Sequence, residues 1–460
     1  MNPASFTYAA FVAAVALVAW ATPPKARRVV VVVASLAFYA TWGVSSLAPL
    51  VVTLANARWI APLAVPAARR RRVWLWTGVA INIAVLVGFR LASETVAGVQ
   101  QLTRGGDIGR FLVPAGLSFY IFQAISYLVD VSRGTVAARR NLVDVALFVS
   151  FFPHLLAGPL TRSRNFMRQV DRWALAPNWE HIASGVELMA FGLFKRVVVS
   201  ATLAGIVGRT PSGIVVADST NTSFWGLIAI GVTARSIGFF DLSAYSDIAR
   251  GAARVLGLEL PLNVRQPLTR SLTLTDYWRR HHITLMSWFR DYVYQPLRGP
   301  RATRSRRRRH LAIAAVFTLS AIWHSLNLRW GLFGLAFGSW LVFENMTGTA
   351  TLEANGWRAL AHTIKVWLVI TLLGLAFSAP DVMAGFRAGG FLTTAPPALL
   401  GVGAVVAVVC VILNDRFEES RDLRRRVGAR WVDFAYPLMV VAAIAWSGAA
   451  EAGGFTYFRL

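Results

Sequence analysis

The chain has 460 residues, of which 56% are hydrophobic and only 15% charged, with a mean hydropathy of +0.52; this balance excludes a soluble globular protein and places the chain in the polytopic membrane class. A net charge of +25 could suggest nucleic acid, but the arginines fall in short clusters between apolar segments, with no basic domain outside them, which excludes a nucleic-acid partner and fits loops on the cytoplasmic side. The single cysteine, Cys410, excludes an internal disulfide, and its place in the run GVGAVVAVVCVIL reads as a buried, inert thiol.

A membrane-crossing helix needs about 20 apolar residues, with roughly 17 to 25 tolerated. Such stretches lie near 5–22, 28–43, 46–64, 73–89, 111–130, 184–205, 223–243, 310–326, 329–347, 361–379, 396–414 and 432–448. We therefore expect an all-α integral membrane protein with about 11–12 transmembrane helices. Segment 144–160 is apolar but broken by Pro153, Gly158 and Pro159, so it reads as re-entrant; broken backbone at membrane depth is tolerated only where protein or a cavity surrounds it.

With that reading the basic clusters Lys25–Arg28, Arg69–Arg72, Arg133–Arg172, Arg250–Arg309 and Arg416–Arg430 fall on one, cytoplasmic, side, and both termini lie outside. No basic residue precedes the first apolar segment, which argues for an uncleaved span. Without repeats, Ser-rich linkers or a soluble region, one membrane domain over 1–460 is the simplest organisation: N-terminal spans to 110, a core over 111–347, and C-terminal spans from 348 onward.

Between 244 and 309 the pattern changes. Trp278, His282, Leu285 and Phe289 follow i, i+4, i+7 and i+11, which predicts one face of an amphipathic helix at the cytoplasmic surface. Adjacent helical residues point about 100° apart, so His281 and His282 cannot share a direction, and the period selects His282 for the apolar side. None of the seven histidines has a metal-ligand spacing, and no phosphate-cradling glycine loop is present, so neither a metal nor a bound nucleotide cofactor is expected. His324 follows Trp323 inside an apolar run. An imidazole there is costly and hence a functional candidate; it can take the proton of a hydroxyl as that hydroxyl attacks a carbonyl. The polar stripes Asp241, Ser243, Tyr245, Ser246, Asp247 and Ser118, Tyr120, Gln123, Ser126, Tyr127, Asp130 are expected to bond between helices. The same spans and arginines would also suit a transporter or flippase, or a non-catalytic scaffold.

Seven ordered motifs separate these readings. The stretches Leu112–Gly134, Ala146–Leu160, Gly192–Ala201, Phe240–Gly257 (FDLSAYSDIARGAARVLG), Tyr277–Gly299, Ala321–Ser325 and Phe455–Leu460 together resemble the bacterial membrane-bound O-acyltransferase family, of the alginate O-acetylase and D-alanyl transfer type. The resemblance implies a multi-span fold around a central funnel in the bacterial cytoplasmic membrane. It implies His324 as the principal catalytic residue, His282 as a second one facing the cytoplasmic opening, and Tyr457 as a transient acyl acceptor. The implied donor is a thioester, acetyl-CoA or an acyl-carrier protein, used as substrate with no bound cofactor. The implied acceptor is a hydroxyl of an envelope or secreted polysaccharide, reached with an extracytoplasmic SGNH-type acyltransferase as partner; D-alanyl or longer-acyl transfer to a wall polymer or metabolite is the close alternative. Membrane lipid is the remaining partner. The chain departs from the family pattern at Ser325, His281 and Ala201, where the family carries glycine, tryptophan and aspartate.

Overall fold

The computed structural model describes residues 1–103, 114–207, 224–265, 270–300, 305–324, 326–378, 397–427 and 437–445. Ser325, residues 208–223 and 379–396, and the terminal motif with Tyr457 lie outside them. Among the described residues all regular structure is helical, as the apolar runs predict. The first helices are α1 (Phe6–Trp20), α2 (Pro24–Ala40), α3 (Leu47–Ile60), α4 (Arg71–Thr103), α5 (Leu117–Ser132), α6 (Leu142–Ser150), α7 (Ser163–Asp171) and α8 (Trp179–Phe194). There follow α9 (Ala201–Val207), α10 (Phe224–Val255), α11 (Leu274–Arg280), α12 (Ile283–Phe289), α13 (Gln295–Arg298), α14 (Arg306–His324), α15 (Leu328–Met346), α16 (Gly356–Ser378) and α17 (Pro397–Val427).

Among the described residues, four helical stretches are long and apolar enough to cross a membrane: Val44–Ala64, Arg71–Ala92, Trp179–Ile206 and Gly356–Leu375. Phe6–Trp20 and Leu117–Ser132 are shorter apolar helices. Leu17, Val33, Val405 and Leu413 stand exposed on their helices, an arrangement suited to lipid rather than water.

The chain forms two compact units that interleave in sequence. One comprises Met1–Met189 with Tyr245–Pro261, the other Ala190–Ala244 with Leu262–Leu460. In the first unit, the segment expected to be re-entrant is helical only through Ser150. Beyond it every residue from Phe151 to Leu160 is buried. Irregular backbone survives burial only when its polar groups find partners; here Phe152 N–H donates to Ser35 Oγ (3.1 Å), and Tyr245 Oη donates to the Pro153 carbonyl (3.2 Å).

The second unit holds a core formed by α9–α11 and α15–α17, including Phe240, Tyr277, Leu341, Ile370 and Val411. Its polar residues pair between helices, as expected of a stripe at a span end. The Lys195 ammonium donates to Ser243 Oγ (2.8 Å) and to Glu418 Oε1 (3.2 Å), while Ser200 Oγ donates to Asp241 Oδ1 (2.5 Å). Lys195 and Ser200 bound a π-helical stretch after α8, a widened turn that re-aims side chains and is common at functional sites. Close approach of α14 and α15 fixes the helix that carries His324. A Cβ on Gly334 would stand 2.4 Å from the Phe317 carbonyl oxygen, so only glycine permits that contact, the small-residue device of packed membrane helices.

Candidate functional site

The continuous amphipathic helix predicted through Trp278, His282, Leu285 and Phe289 is two helices with a break at the histidine pair. Thr273 caps α11, its hydroxyl accepting from Asp276 N–H (3.0 Å). Buried Glu344 of α15 supplies the rest of the cap: its Oε1 accepts from Leu274 N–H (2.8 Å) and its Oε2 from Thr275 N–H (2.9 Å) and Thr275 Oγ1 (2.7 Å). Its Oε1 also takes the Trp340 indole N–H (3.1 Å). At Arg280 the helix stops. His281 is extended, and His282 turns left-handed at φ 52° and ψ 43° before α12 begins.

Among the described residues His282 alone has a positive φ without being glycine. That conformation costs an L-residue about 1–2 kcal/mol, and residues so held cluster at functional sites. Asn263, fully buried, maintains it. Its carbonyl accepts from Ile283 N–H (2.8 Å), and next to it Arg265 N–H donates to the Arg280 carbonyl (2.8 Å). The Asn263 side-chain oxygen accepts from Thr284 N–H (3.2 Å) and Thr284 Oγ1 (2.7 Å), and stands 3.3 Å from His282 Nδ1. A backbone N–H can only donate, so Oδ1 is the acceptor in this cluster and the proton shared with His282 belongs on Nδ1. The neutral ring then carries its one proton on Nδ1.

His282 is buried whereas His281 is partly exposed, so the imidazole selected from the sequence is the buried one, although a turn rather than helical phase makes it so. The His281 ring stacks on Tyr277, with centroids 5.1 Å apart and an angle of 25°. The ring itself is enclosed by Phe239, Tyr277 and Trp278 with Nδ1 out of reach of solvent; this burial, followed by the positive charge of Arg235 on α10, pushes His281 down to about 3. Burial also holds His282 well below the ordinary imidazole range, reinforced by repulsion from charge on His281 and then on His324. His324, half-buried, ends α14. Its ring lies 4.3 Å from the Trp323 ring and 5.6 Å from that of Trp330. Asn327 aids this placement by capping α15, its Oδ1 accepting from Trp330 N–H (3.0 Å).

Depressed imidazole pKa values make a stability prediction. Both folded values lie below the unfolded value near 6.5. The unfolded chain therefore binds more protons as pH falls below 6.5, and the stability contributed by the neutral rings is complete above that pH and lost on acidification. The loss is at most about 1.4 kcal/mol per pH unit per histidine. Thermal denaturation between pH 4.5 and 7.5 should show the wild type losing stability more steeply than His281→Phe; parallel curves would refute the neutral assignment of His281.

His282 and His324 are thus brought into one unit, near enough for charge on one to bear on the other, while Tyr457 lies outside the described residues. Glu344 was legible as a lone carboxylate in the apolar run SWLVFENM, which demands a partner. Asn263 carries no such signal, since its role depends on the turn it meets 19 positions later.

A helical membrane protein with a buried imidazole held in a left-handed turn is the class these features define. The chain belongs to the membrane-bound O-acyltransferase family, whose profile matches residues 132–378. It is 34% identical to "Probable alginate O-acetylase AlgI" of Azotobacter vinelandii, over 70% of this chain and 64% of that protein. "Peptidoglycan O-acetyltransferase" of Helicobacter pylori is 28% identical over 81% of this chain and 74% of its own length. "Teichoic acid D-alanyltransferase" of Bacillus subtilis is 23% identical, over 48% and 56% respectively. The chain spans just under two thirds of the length of the alginate relatives it matches.

Proposed function

We propose that this protein is a multi-pass O-acyltransferase of the bacterial cytoplasmic membrane. It moves an acyl group, acetyl in the first instance, from a cytoplasmic thioester to a hydroxyl of an envelope or secreted polysaccharide. The observation that carries this reading is His282, buried, strained at φ 52° and held against Asn263 Oδ1 in the same unit as His324, within a chain of this family. The acetyl assignment draws support from the alginate and peptidoglycan relatives, which match more of the chain than the D-alanyl relative does.

In the proposed mechanism the thioester arm of acetyl-CoA or an acyl-carrier protein enters past His282, whose imidazole lines its path. An imidazole nitrogen of His324 removes the proton of the attacking hydroxyl as its oxygen bonds to the thioester carbonyl carbon. The carbon–sulfur bond then breaks, and the proton passes from His324 to the leaving thiolate, so that ester and thiol are the products. Tyr457 is the first hydroxyl in this scheme. A phenol with a pKa near 10 is a weak nucleophile without a base beside it, which gives His324 its task. An extracytoplasmic SGNH-type acyltransferase then carries the acyl group from the tyrosyl ester to the polymer, with both termini on the outer side.

Radiolabelled acetyl-CoA supplied to the protein in proteoliposomes tests this directly. Ester-linked label on the protein is expected, and Tyr457→Phe should lose it. Label crossing the bilayer as intact thioester, with no ester formed, would establish a transporter instead. If Tyr457→Phe retained full acylation of the polymer, the relay would be wrong, and His324 would activate a sugar hydroxyl directly.

A further inference from the structure

A basic cleft in the first unit plays no part in the acyl-transfer scheme. It has a volume of about 610 Å³, and its lining includes Arg168, Arg172, Arg254 and His181 but no carboxylate. Arg254 is bound by Glu259, Nε to Oε1 at 3.1 Å. Arg168 donates only to the neutral Asn165 side chain (2.7 Å), and among the described residues neither Arg168 nor Arg172 has a carboxylate partner. The cleft therefore presents two uncompensated guanidinium groups, the fork-shaped donors best suited to phosphate oxygens.

Its floor is built rather than incidental. Trp20 donates its indole N–H to the Val255 carbonyl (2.9 Å), and Trp173 to that of Leu256 (2.8 Å). Gly257 follows in the left-handed region at φ +80°, and a Cβ there would lie 2.9 Å from the Trp20 ring. One wall is clamped by Arg27, completely buried beneath the Trp20 ring at 4.3 Å. Its guanidinium donates to the carbonyls of Ala19 (2.8 Å) and Ala174 (2.6 Å), joining the end of α1 to the segment before α8.

That segment indicates the source of the phosphate. It lines the cleft with Ala174 and Asn178, while Leu175 and Trp179 beside them are 82% and 74% exposed. Large apolar side chains so placed are ill suited to water, and tryptophan favours the lipid headgroup level. A basic pocket next to an apolar, tryptophan-bearing rim matches an anionic phospholipid, phosphate inside and glycerol and acyl chains along the rim. We infer that this cleft binds the phosphodiester headgroup of an anionic membrane lipid, with Arg168 and Arg172 holding the phosphate and Leu175 and Trp179 seated in the bilayer surface.

The test uses the full-length protein in neutral detergent, titrated with phosphatidylglycerol or phosphatidylcholine and read by native mass spectrometry and by the thermal midpoint. Phosphatidylglycerol should bind at least tenfold tighter than phosphatidylcholine and raise the midpoint. Arg168→Gln/Arg172→Gln, on an exposed surface, should lose that preference while the lipid-free midpoint is unchanged. Leu175→Asn/Trp179→Gln should weaken phosphatidylglycerol but not soluble glycerol phosphate. Equal binding of the two lipids, or full retention by the double arginine variant, overturns the site. Glycerol phosphate binding as tightly as phosphatidylglycerol overturns the lipid source. Displacement of phosphatidylglycerol by coenzyme A, together with a raised donor KM in the arginine variant, would give the cleft to the acyl donor and also overturn it.

Discussion

Alanine at His324 is expected to lower acyl transfer by about a thousandfold or more, the upper part of the range for losing a general base, while the protein stays folded. The side chain is only half-buried at the end of α14, against the rings of Trp323 and Trp330. Removing it should cost about 1–2 kcal/mol, within the range of ordinary single substitutions. The Gly334 contact that fixes α14 against α15 lies two turns away, at Phe317, and is untouched. His324→Gln separates shape from chemistry, because it fills similar space but cannot take up a proton at neutral pH. Both variants should therefore fail in acyl incorporation while donor affinity stays near that of the wild type. His282→Ala should act differently, raising donor KM as well as lowering the rate, if its imidazole lines the path of the pantetheine arm. Added imidazole partly restoring the His324→Ala rate would identify the missing group as a base. A variant keeping more than a tenth of wild-type activity would show that the base lies elsewhere.

How far the sequence leads can be seen at particular residues. Apolar run length located helices well: the stretch read over 329–347 is Leu328–Met346, and that read over 310–326 is Arg306–His324. It underestimated α4 and α10, which continue to Thr103 and Val255. In α10 the polar groups Asp241 and Ser243 bond to Ser200 and Lys195, as expected of a stripe that pairs between helices, so nothing there terminates the helix. The burial of His282 was legible from the sequence, but the construction around it was not. Trp278, His282, Leu285 and Phe289 keep a 3.6-residue period by coincidence across a break between two helices. That break is imposed from outside the segment, by Asn263 and by the Arg265–Arg280 backbone bond. No local propensity announces a histidine at φ 52°. The depressed pKa values were equally hidden, since they follow from burial and from Arg235, 46 positions before His281.

Glu344→Ala should be the most disruptive single change near the site, lowering stability by about 3–5 kcal/mol. Two oxygens of Glu344 receive four donors: Leu274 N–H, Thr275 N–H, Thr275 Oγ1 and the Trp340 indole. A carboxylate can satisfy all four at once because it is acceptor-only on both oxygens. Alanine leaves these donors without partners at the start of α11, where backbone N–H groups have none within the helix and the dipole favours negative charge. Glu344→Gln keeps the shape but turns one oxygen into an NH2 group facing donors, so it should lose roughly half as much stability. If Gln were silent, the cap would not depend on a carboxylate. Activity supplies the second readout. The other end of α11 delivers the chain to His281 and His282, only seven residues after Leu274. Loosening its start lets the left-handed turn at His282 relax toward ordinary geometry. Glu344→Ala should therefore raise donor KM in the manner of His282→Ala, whereas a substitution that only weakened helix packing would lower the amount of folded protein without changing KM. That contrast distinguishes a residue that merely stabilises α15 from one whose four hydrogen bonds hold the imidazole in place.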